Sequence, residues 1–307
     1  MPVELRDQRI LLTGPTSQVG LPIARALAPH NEVHGVARFR DPATRAPLEA
    51  IGVECIALDL AEGSFAALSE QYDYVLNFAV VKSGDFAYDL CANAEGAGRL
   101  LAHCRDAKGF LHCSSAAVYA EDGPKPFRED APLGDNHRML FPTYSISKIA
   151  AETTVRFAAR EFGVPTSIAR FSVPYGENGG WPWFHLMMMK AGSPIAVSPD
   201  APNLYNPIFE DDYIAHLPRL FEVATPETTT LNWGGSEAVA IEEWCAWLGE
   251  LTGLEPQFET REGVLAPLPI CTEKMDRLIG PTRVDWRSGI RRLVKARNPE
   301  LLKPEYA

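Results

Sequence analysis

The stretch RILLTGPTSQVGLPIARALA, Arg9–Ala28, decides the fold. Its apolar opening, Arg9–Thr13, reads as a buried strand, Gly14 allows a tight turn, and Leu21–Ala28 has the apolar spacing of a helix. A strand, a glycine turn and a helix start in the first βα unit of a chain present free N–H groups and a positive dipole end to a pyrophosphate. Gly14 suits the turn and Gly20 suits close packing of helix on strand, with Thr13, Gln18 and Val19 around them as further cofactor candidates. Ser17 stands where such turns usually carry their middle glycine, and its hydroxyl is a candidate donor to a phosphate oxygen.

Outward from this turn, β-rich runs alternate with helical ones. Strands are expected at Arg9–Thr13, Glu32–Ala37, Val53–Ala57, Tyr74–Phe78, Phe110–Ser114 and Thr166–Phe171, and helices at Leu21–Ala28, Gly63–Gln71, Tyr88–Ala107 and Tyr144–Phe162. The alternation predicts an α/β fold: a Rossmann-type doubly wound parallel sheet covered on both faces. After Gly176 the chain becomes dense in Gly, Pro, Met and aromatic residues without clear periodicity, which predicts an irregular binding loop or lid. Thr228–Trp233 then reads as a strand, and Ala240–Thr252 and Arg277–Lys295 as helical regions. The expected division is a dinucleotide-binding domain over 1–174 with a returning segment at about 206–236, and a smaller C-terminal substrate-binding cap from 175–205 and 237–307.

Composition narrows the partners. With 307 residues, 46% of them hydrophobic, the chain has material for a large core, and its net charge of -11 with no basic block disfavours nucleic acid and anionic membrane. The start MPVELRDQRI lacks an apolar signal region and no later run reaches a membrane span of about 20 residues, so a cytoplasmic protein with a small-molecule substrate is expected. Six scattered cysteines and seven histidines show no metal-ligand spacing, and no metal is expected.

Two further signals carry chemistry. Strand Glu32–Ala37 is followed by Arg38 and Arg40 where a ribose-binding acid is expected for NAD; a guanidinium there grips a 2′-phosphate, so NADP(H) is favoured over NAD(H), with Asp41 close by as the competing acid. In FPTYSISKIAAE, Tyr144 and Lys148 stand one helical turn apart, so that the ammonium is expected to stabilise the phenolate and bring Tyr144 into use as an acid/base. Ser114 and Ser115 fall at the carboxyl end of a central strand, where ligands gather in such sheets.

In order along the chain, the glycine turn, Asp59-Leu60, NFAVVK, Asn93-Ala94-Glu95-Gly96, SSAAVY, YSISK, RFSVPYG, IFEDDYIAHL and LNWGG resemble the extended short-chain dehydrogenase/reductase family, the NAD(P)-dependent epimerase/dehydratase group. The resemblance implies that Ser115 is the catalytic serine, that Tyr144 is the acid/base and that Lys148 binds the nicotinamide ribose and tunes Tyr144. It also implies that Asp59 and Leu60 lie by the adenine, that Phe78, Ala79 and Lys82 line the cofactor groove, with Asn93 nearby, and that Val173-Pro174 approaches the nicotinamide. A homodimer through the helices Tyr88–Ala107 and Tyr144–Phe162 is implied as well.

Departures from the family pattern bear on the reaction. Dehydratases of the group carry an Asp-Glu pair after the serine/threonine position; here it is Ala116-Ala117. Val173 occupies a position commonly Asn in epimerases, and no Lys or Arg occurs from Ala191 to Tyr213 to hold a diphosphate. Trp181, Trp183, Met187 and Tyr205, with Lys82 and Ser115, are the candidate substrate contacts. The leading expectation is therefore an NAD(P)-dependent oxidoreductase acting on a small apolar or aromatic carbonyl or alcohol. The alternatives are a nucleotide-sugar epimerase using the same three residues, and a non-catalytic cofactor-binding regulator.

Overall fold

A computed structural model describes residues 3–307. Seven parallel strands make the central sheet: β1 (Arg9–Thr13), β2 (Glu32–Ala37), β3 (Glu54–Ala57), β4 (Tyr74–Asn77), β5 (Gly109–Ser115), β6 (Thr166–Phe171) and a last strand, Thr229–Trp233. Across the sheet they run Thr229–Trp233, β6, β5, β4, β1, β2, β3. Because the winding reverses between β1 and β4, the crevice beyond their carboxyl ends is where ligands bind in this architecture. The inner strands read as unbroken apolar runs since both faces are covered: Gly20–Leu27 and Glu210–Glu222 pack on one side, and the helical run Phe86–His103 with the helix Tyr144–Phe162 on the other.

Four expectations about local structure fail for identifiable reasons. Gly63–Gln71 forms no helix: Gly63 is left-handed, and Phe65 and Leu68 bury themselves through a single turn closed by the Leu68 N–H on the Phe65 carbonyl. The expected Tyr88–Ala107 helix starts at Phe86 and contains a π-helical turn, Cys91–Glu95, which places Asn93. The segment after Gly176, expected to be irregular, contains the helix Trp181–Lys190, with Pro182 in its first turn. Similarly, Arg277–Lys295 resolves into Glu273–Leu278 and Trp286–Arg297, the second capped by the Asp285 carboxylate accepting the Ser288 N–H.

The cap has its own core. Helices Trp181–Lys190, Ile241–Thr252 and Trp286–Arg297 enclose Leu186, Met189, Tyr205, Trp244, Leu248, Ile290 and Leu293. The Trp244 indole donates to His185 Nδ1 at 2.8 Å, and burial pushes that imidazole down to about 4, so it stays a neutral acceptor. Short strands stitch distant segments together: Ile195–Val197 pairs with Phe258–Thr260, and Leu204–Tyr205 with Val239–Ala240.

A buried polar brace joins sheet, helix and cap. Glu152, fully buried, accepts from Ser114 Oγ at 2.7 Å and from Arg170 Nε and Nη2 at 2.9 Å each. Arg170 Nη1 reaches Tyr119 Oη and the Glu129 carbonyl, and Tyr119 in turn donates to Asn232, which holds the carbonyls of Phe127 and Cys271. Burial alone works against the Arg170 charge, but the Glu152 carboxylate more than compensates and raises its pKa. Removing one member of a paired buried charge strands the other. Arg170→Met is therefore expected to lower unfolding free energy by about 3–5 kcal/mol in urea titrations, while Arg170→Met with Glu152→Leu recovers most of the loss.

Candidate active site

The glycine turn is fixed by contacts that only glycine tolerates. Gly14 sits at φ +70°, and a Cβ there would lie 3.1 Å from the backbone of Ala79; at Gly20 a Cβ would meet the Gly14 carbonyl oxygen at 2.1 Å. Ser17 Oγ accepts the Gly20 N–H at 2.9 Å, so the residue in place of the middle glycine closes the turn onto the helix start and keeps its own hydroxyl proton available. Thr13 is committed to the interior: its hydroxyl donates to Asn77 Oδ1 and accepts the N–H groups of Phe78 and Ala79. Gln18 links the turn to the cap through its carbonyl to Asn178 and its amide to the Gly179 carbonyl, and Val19 occupies the helix-cap position.

From this turn a cavity of about 280 Å³ runs across the ends of β1, β2 and β4, lined by Gly14, Thr16, Ser17, Arg38, Phe39, Arg40, Asp41, Thr44, Asp59, Leu60, Phe78–Val81 and Asn93 among others. At its far end Arg38 donates to Tyr88 Oη at 3.2 Å, and Tyr88 donates to Asp59 at 2.5 Å. The Asp41 carboxylate is turned to the Ala43 N–H, capping the short turn Pro42–Thr44. Asn93 clamps the groove wall, bonding both the N–H and the carbonyl of Val81 and the Ser147 hydroxyl. A glycine turn that excludes side chains, a helix start and a groove of this depth fit a nicotinamide dinucleotide, with the pyrophosphate over Gly14–Ser17 and the adenosine toward Arg38. Bound there, such a cofactor supplies hydride transfer.

Val81 leads directly to Lys82, whose ammonium stands 4.3 Å from the centre of the Phe141 ring and 5.4 Å from that of Tyr144. Tyr144 opens its helix near Ser115, which pulls its pKa down and whose Oγ accepts the Ala117 N–H. Lys148, one turn on, is buried and donates to the Cys113 carbonyl at 2.6 Å. The expected stabilisation of the Tyr144 phenolate by Lys148 does not appear: burial pushes the phenol up to about 12, only Ser115 pulling it down, while burial lowers Lys148. In the cofactor-free protein Tyr144 is thus held as the neutral phenol.

Sequence reasoning passed over what holds the trio in place. Asp89, fully buried, accepts from Ser83 N–H and Oγ, Gly84 N–H and Thr143 Oγ1, tying the Lys82 loop to the residue before Tyr144. These donors lower its pKa against burial, so it remains a carboxylate. His137 and Phe141, on the turn leading to Tyr144, flank its ring at 5.9 and 6.1 Å. Val173 lies at φ +31°, strained for a β-branched residue, two residues beyond the partner of Ser115 across β5 and β6.

The cap aromatics depart from expectation. Trp183 donates to Asn298 and lies under the Arg297 guanidinium, Met187 packs against the cap core, and Tyr205 is buried with its hydroxyl on the carbonyls of Leu265 and Ala266. Trp181 packs against Tyr205, His185 and Trp244. These side chains hold the cap together, and their abundance in the sequence is explained by that core. Among the described residues no group of His, Cys, Asp and Glu has the arrangement of a metal site, and no helix is long and apolar enough to cross a membrane.

The fold and the Ser115–Tyr144–Lys148 arrangement define an extended short-chain dehydrogenase/reductase. Residues 10–197 match the model of the NAD dependent epimerase/dehydratase family, and the chain belongs to that family. Similar solved structures include UDP-glucuronic acid 4-epimerase from Bacillus cereus in complex with UDP-glucuronic acid and NAD (20% identity, 94% of this chain and 98% of that one, TM-score 0.79). Others are UDP-N-acetylglucosamine 4-epimerase from Methanobrevibacter ruminantium M1 in complex with UDP-N-acetylmuramic acid (16%, 96% and 99%, 0.81) and dTDP-glucose 4,6-dehydratase from Streptomyces venezuelae with NAD bound (20%, 96% and 99%, 0.78). No curated protein sequence matches the chain.

With its phenol pushed up to about 12, Tyr144 in the cofactor-free protein ionises after ordinary tyrosines, which titrate near 10. Tyrosinate absorbance of the wild type and of Tyr144→Phe is expected to coincide below about pH 10.5 and to separate only above it.

Proposed function

We propose that the protein is a nucleotide-sugar epimerase that oxidises and re-reduces one carbinol carbon with bound NADP(H). The observation that carries the reading is the unpaired Lys82 ammonium beside the Ser115–Tyr144 pair: no carboxylate pairs with it among the described residues, and it stands where an anionic substrate group would find it. A second cation, the exposed Arg261, lacks an ion-pair partner among the described residues; its backbone N–H bonds the Val197 carbonyl on the cap. It is a candidate contact for a diphosphate that lies outside the cation-free run Ala191–Tyr213. The apolar-substrate alternative is weakened because Tyr205 is buried in the cap core and Trp183 and Met187 pack half-buried against it.

In this reading Tyr144, ionised to the phenolate once the positive charge of the oxidised cofactor is bound beside it, accepts the proton of the substrate hydroxyl as the carbon is oxidised, and returns it when the carbon is reduced on its other face. Ser115 holds the same oxygen throughout, and Lys148 lies below with its ammonium on the Cys113 carbonyl. The 2′-phosphate preference is supported by the exposed Arg38 and Arg40 at the end of β2 and by Asp41 being occupied as a cap.

The test incubates the protein with UDP-glucose, UDP-glucuronic acid or UDP-N-acetylglucosamine and either NAD or NADP, following sugar configuration by NMR and the nicotinamide by absorbance. An isomer forming without net absorbance change is expected, with Tyr144→Phe slower by roughly 100-fold or more. Stoichiometric cofactor reduction would make the protein a dehydrogenase instead. Arg38→Ala is expected to weaken NADPH by about tenfold and leave NADH unchanged; tighter binding of NADH by the wild type would sink the phosphate assignment.

We also place the protein in a reducing, cytoplasmic compartment, which its six free cysteines suit. A homodimer is proposed on the exposed stripe of the Tyr144–Phe162 helix, where Ile146 and Phe157 are 37% and 67% exposed three turns apart. A solution mass of one chain would overturn it.

A further inference from the structure

The turn that precedes the catalytic helix contains a histidine whose proton can be located from its neighbours. Asn136 is buried, and its Nδ2 lies 2.8 Å from the Tyr119 carbonyl. A carbonyl only accepts, so the amide orientation is fixed and Oδ1 faces His137 Nδ1, with which it is hydrogen-bonded. Oδ1 is an acceptor, so Nδ1 carries the proton. A neutral imidazole has one N–H, so Nε2 is left as a bare acceptor. Burial and the nearby Lys82 charge push His137 down to about 4, which keeps the ring neutral in the physiological range.

The ring is held firmly. The N–H groups of Leu140 and Phe141 both bond the His137 carbonyl, and the imidazole lies 5.9 Å from the Tyr144 ring at 40°. Nε2 has no protein partner among the described residues and is not sealed from solvent. Near the ring, burial holds the Tyr144 phenol protonated, and the Lys82 charge acts on the imidazole. The site therefore offers a phenol and a serine hydroxyl for one substrate oxygen, and next to them a fixed acceptor, His137 Nε2.

We propose that His137 is a substrate-contacting residue, its Nε2 accepting a hydrogen bond from the substrate hydroxyl vicinal to the carbon that reacts at Tyr144. The proposal rests on the epimerase reading above. It gives the site a preference for a polyol over a lone alcohol: a donor group must stand beside the reacting one.

Two measurements test it. Nitrogen-15 NMR of the ring in the intact protein at pH 7 is expected to show protonated Nδ1 and bare Nε2; an Nε2–H tautomer or an imidazolium overturns the proposal whatever the substrate proves to be. Kinetics then use whichever of the three UDP-sugars the wild type epimerises. His137→Phe is expected to lose roughly tenfold in kcat/KM, and His137→Gln, which keeps an acceptor, to recover part of it. In case the Phe variant folds poorly, the wild type is given the deoxy analogue lacking the neighbouring hydroxyl, with the same loss expected. Turnover by the wild type that neither change affects overturns the proposal alone. Failure of the wild type to epimerise any UDP-sugar overturns the epimerase reading and this proposal with it.

Discussion

The Thr13 hydroxyl, buried where β1 ends, is the constraint on which the site depends. It accepts the N–H groups of Phe78 and Ala79 and must therefore donate to Asn77 Oδ1, which orients the Asn77 amide toward His112 Nδ1. Three adjacent strands are thereby locked at their carboxyl ends. One delivers the glycine turn, the next the groove wall, and the third Cys113 and Ser115. His112 must accept from Asn77, and burial together with the Lys148 charge keeps its pKa well below the usual value, so the chain of bonds does not titrate away near neutral pH. The geometry of the candidate site thus depends on a lock made by residues behind it.

Much of the fold was legible because the strands of a doubly wound sheet are buried on both sides and so announce themselves as apolar runs. Arg9–Thr13, Glu32–Ala37 and Thr166–Phe171 fall where their sequence places them, as does the helix Tyr144–Phe162. Where tertiary packing overrides local pattern, legibility ends. Gly63–Gln71 has helical composition but is consumed by two buried side chains, and Trp181–Lys190 looks irregular because apolar residues stand on its exposed face as well as its buried one, Phe184 being 55% exposed.

The candidate site was legible in its chemistry but not in its supports. Tyr144 and Lys148 declare themselves by spacing, whereas Asp89, Asn136 and Glu152 act through partners remote in sequence: Asp89 holds Thr143, 54 residues away, and Glu152 holds Arg170 from a neighbouring strand. No local pattern encodes such pairs. The aromatic and Met residues of the cap misled for the opposite reason, since a residue that packs a small core and one that lines an apolar pocket have the same side chain. Only the placement of Tyr205 and Trp183 among their neighbours separates the two.

The last strand, Thr229–Trp233, returns from the cap to pair with β6 before the chain goes back to finish the cap. The cap is consequently a module in space but not in sequence. It cannot be exchanged between relatives as one contiguous cassette, because any transplant must cross the central sheet and match its register at β6.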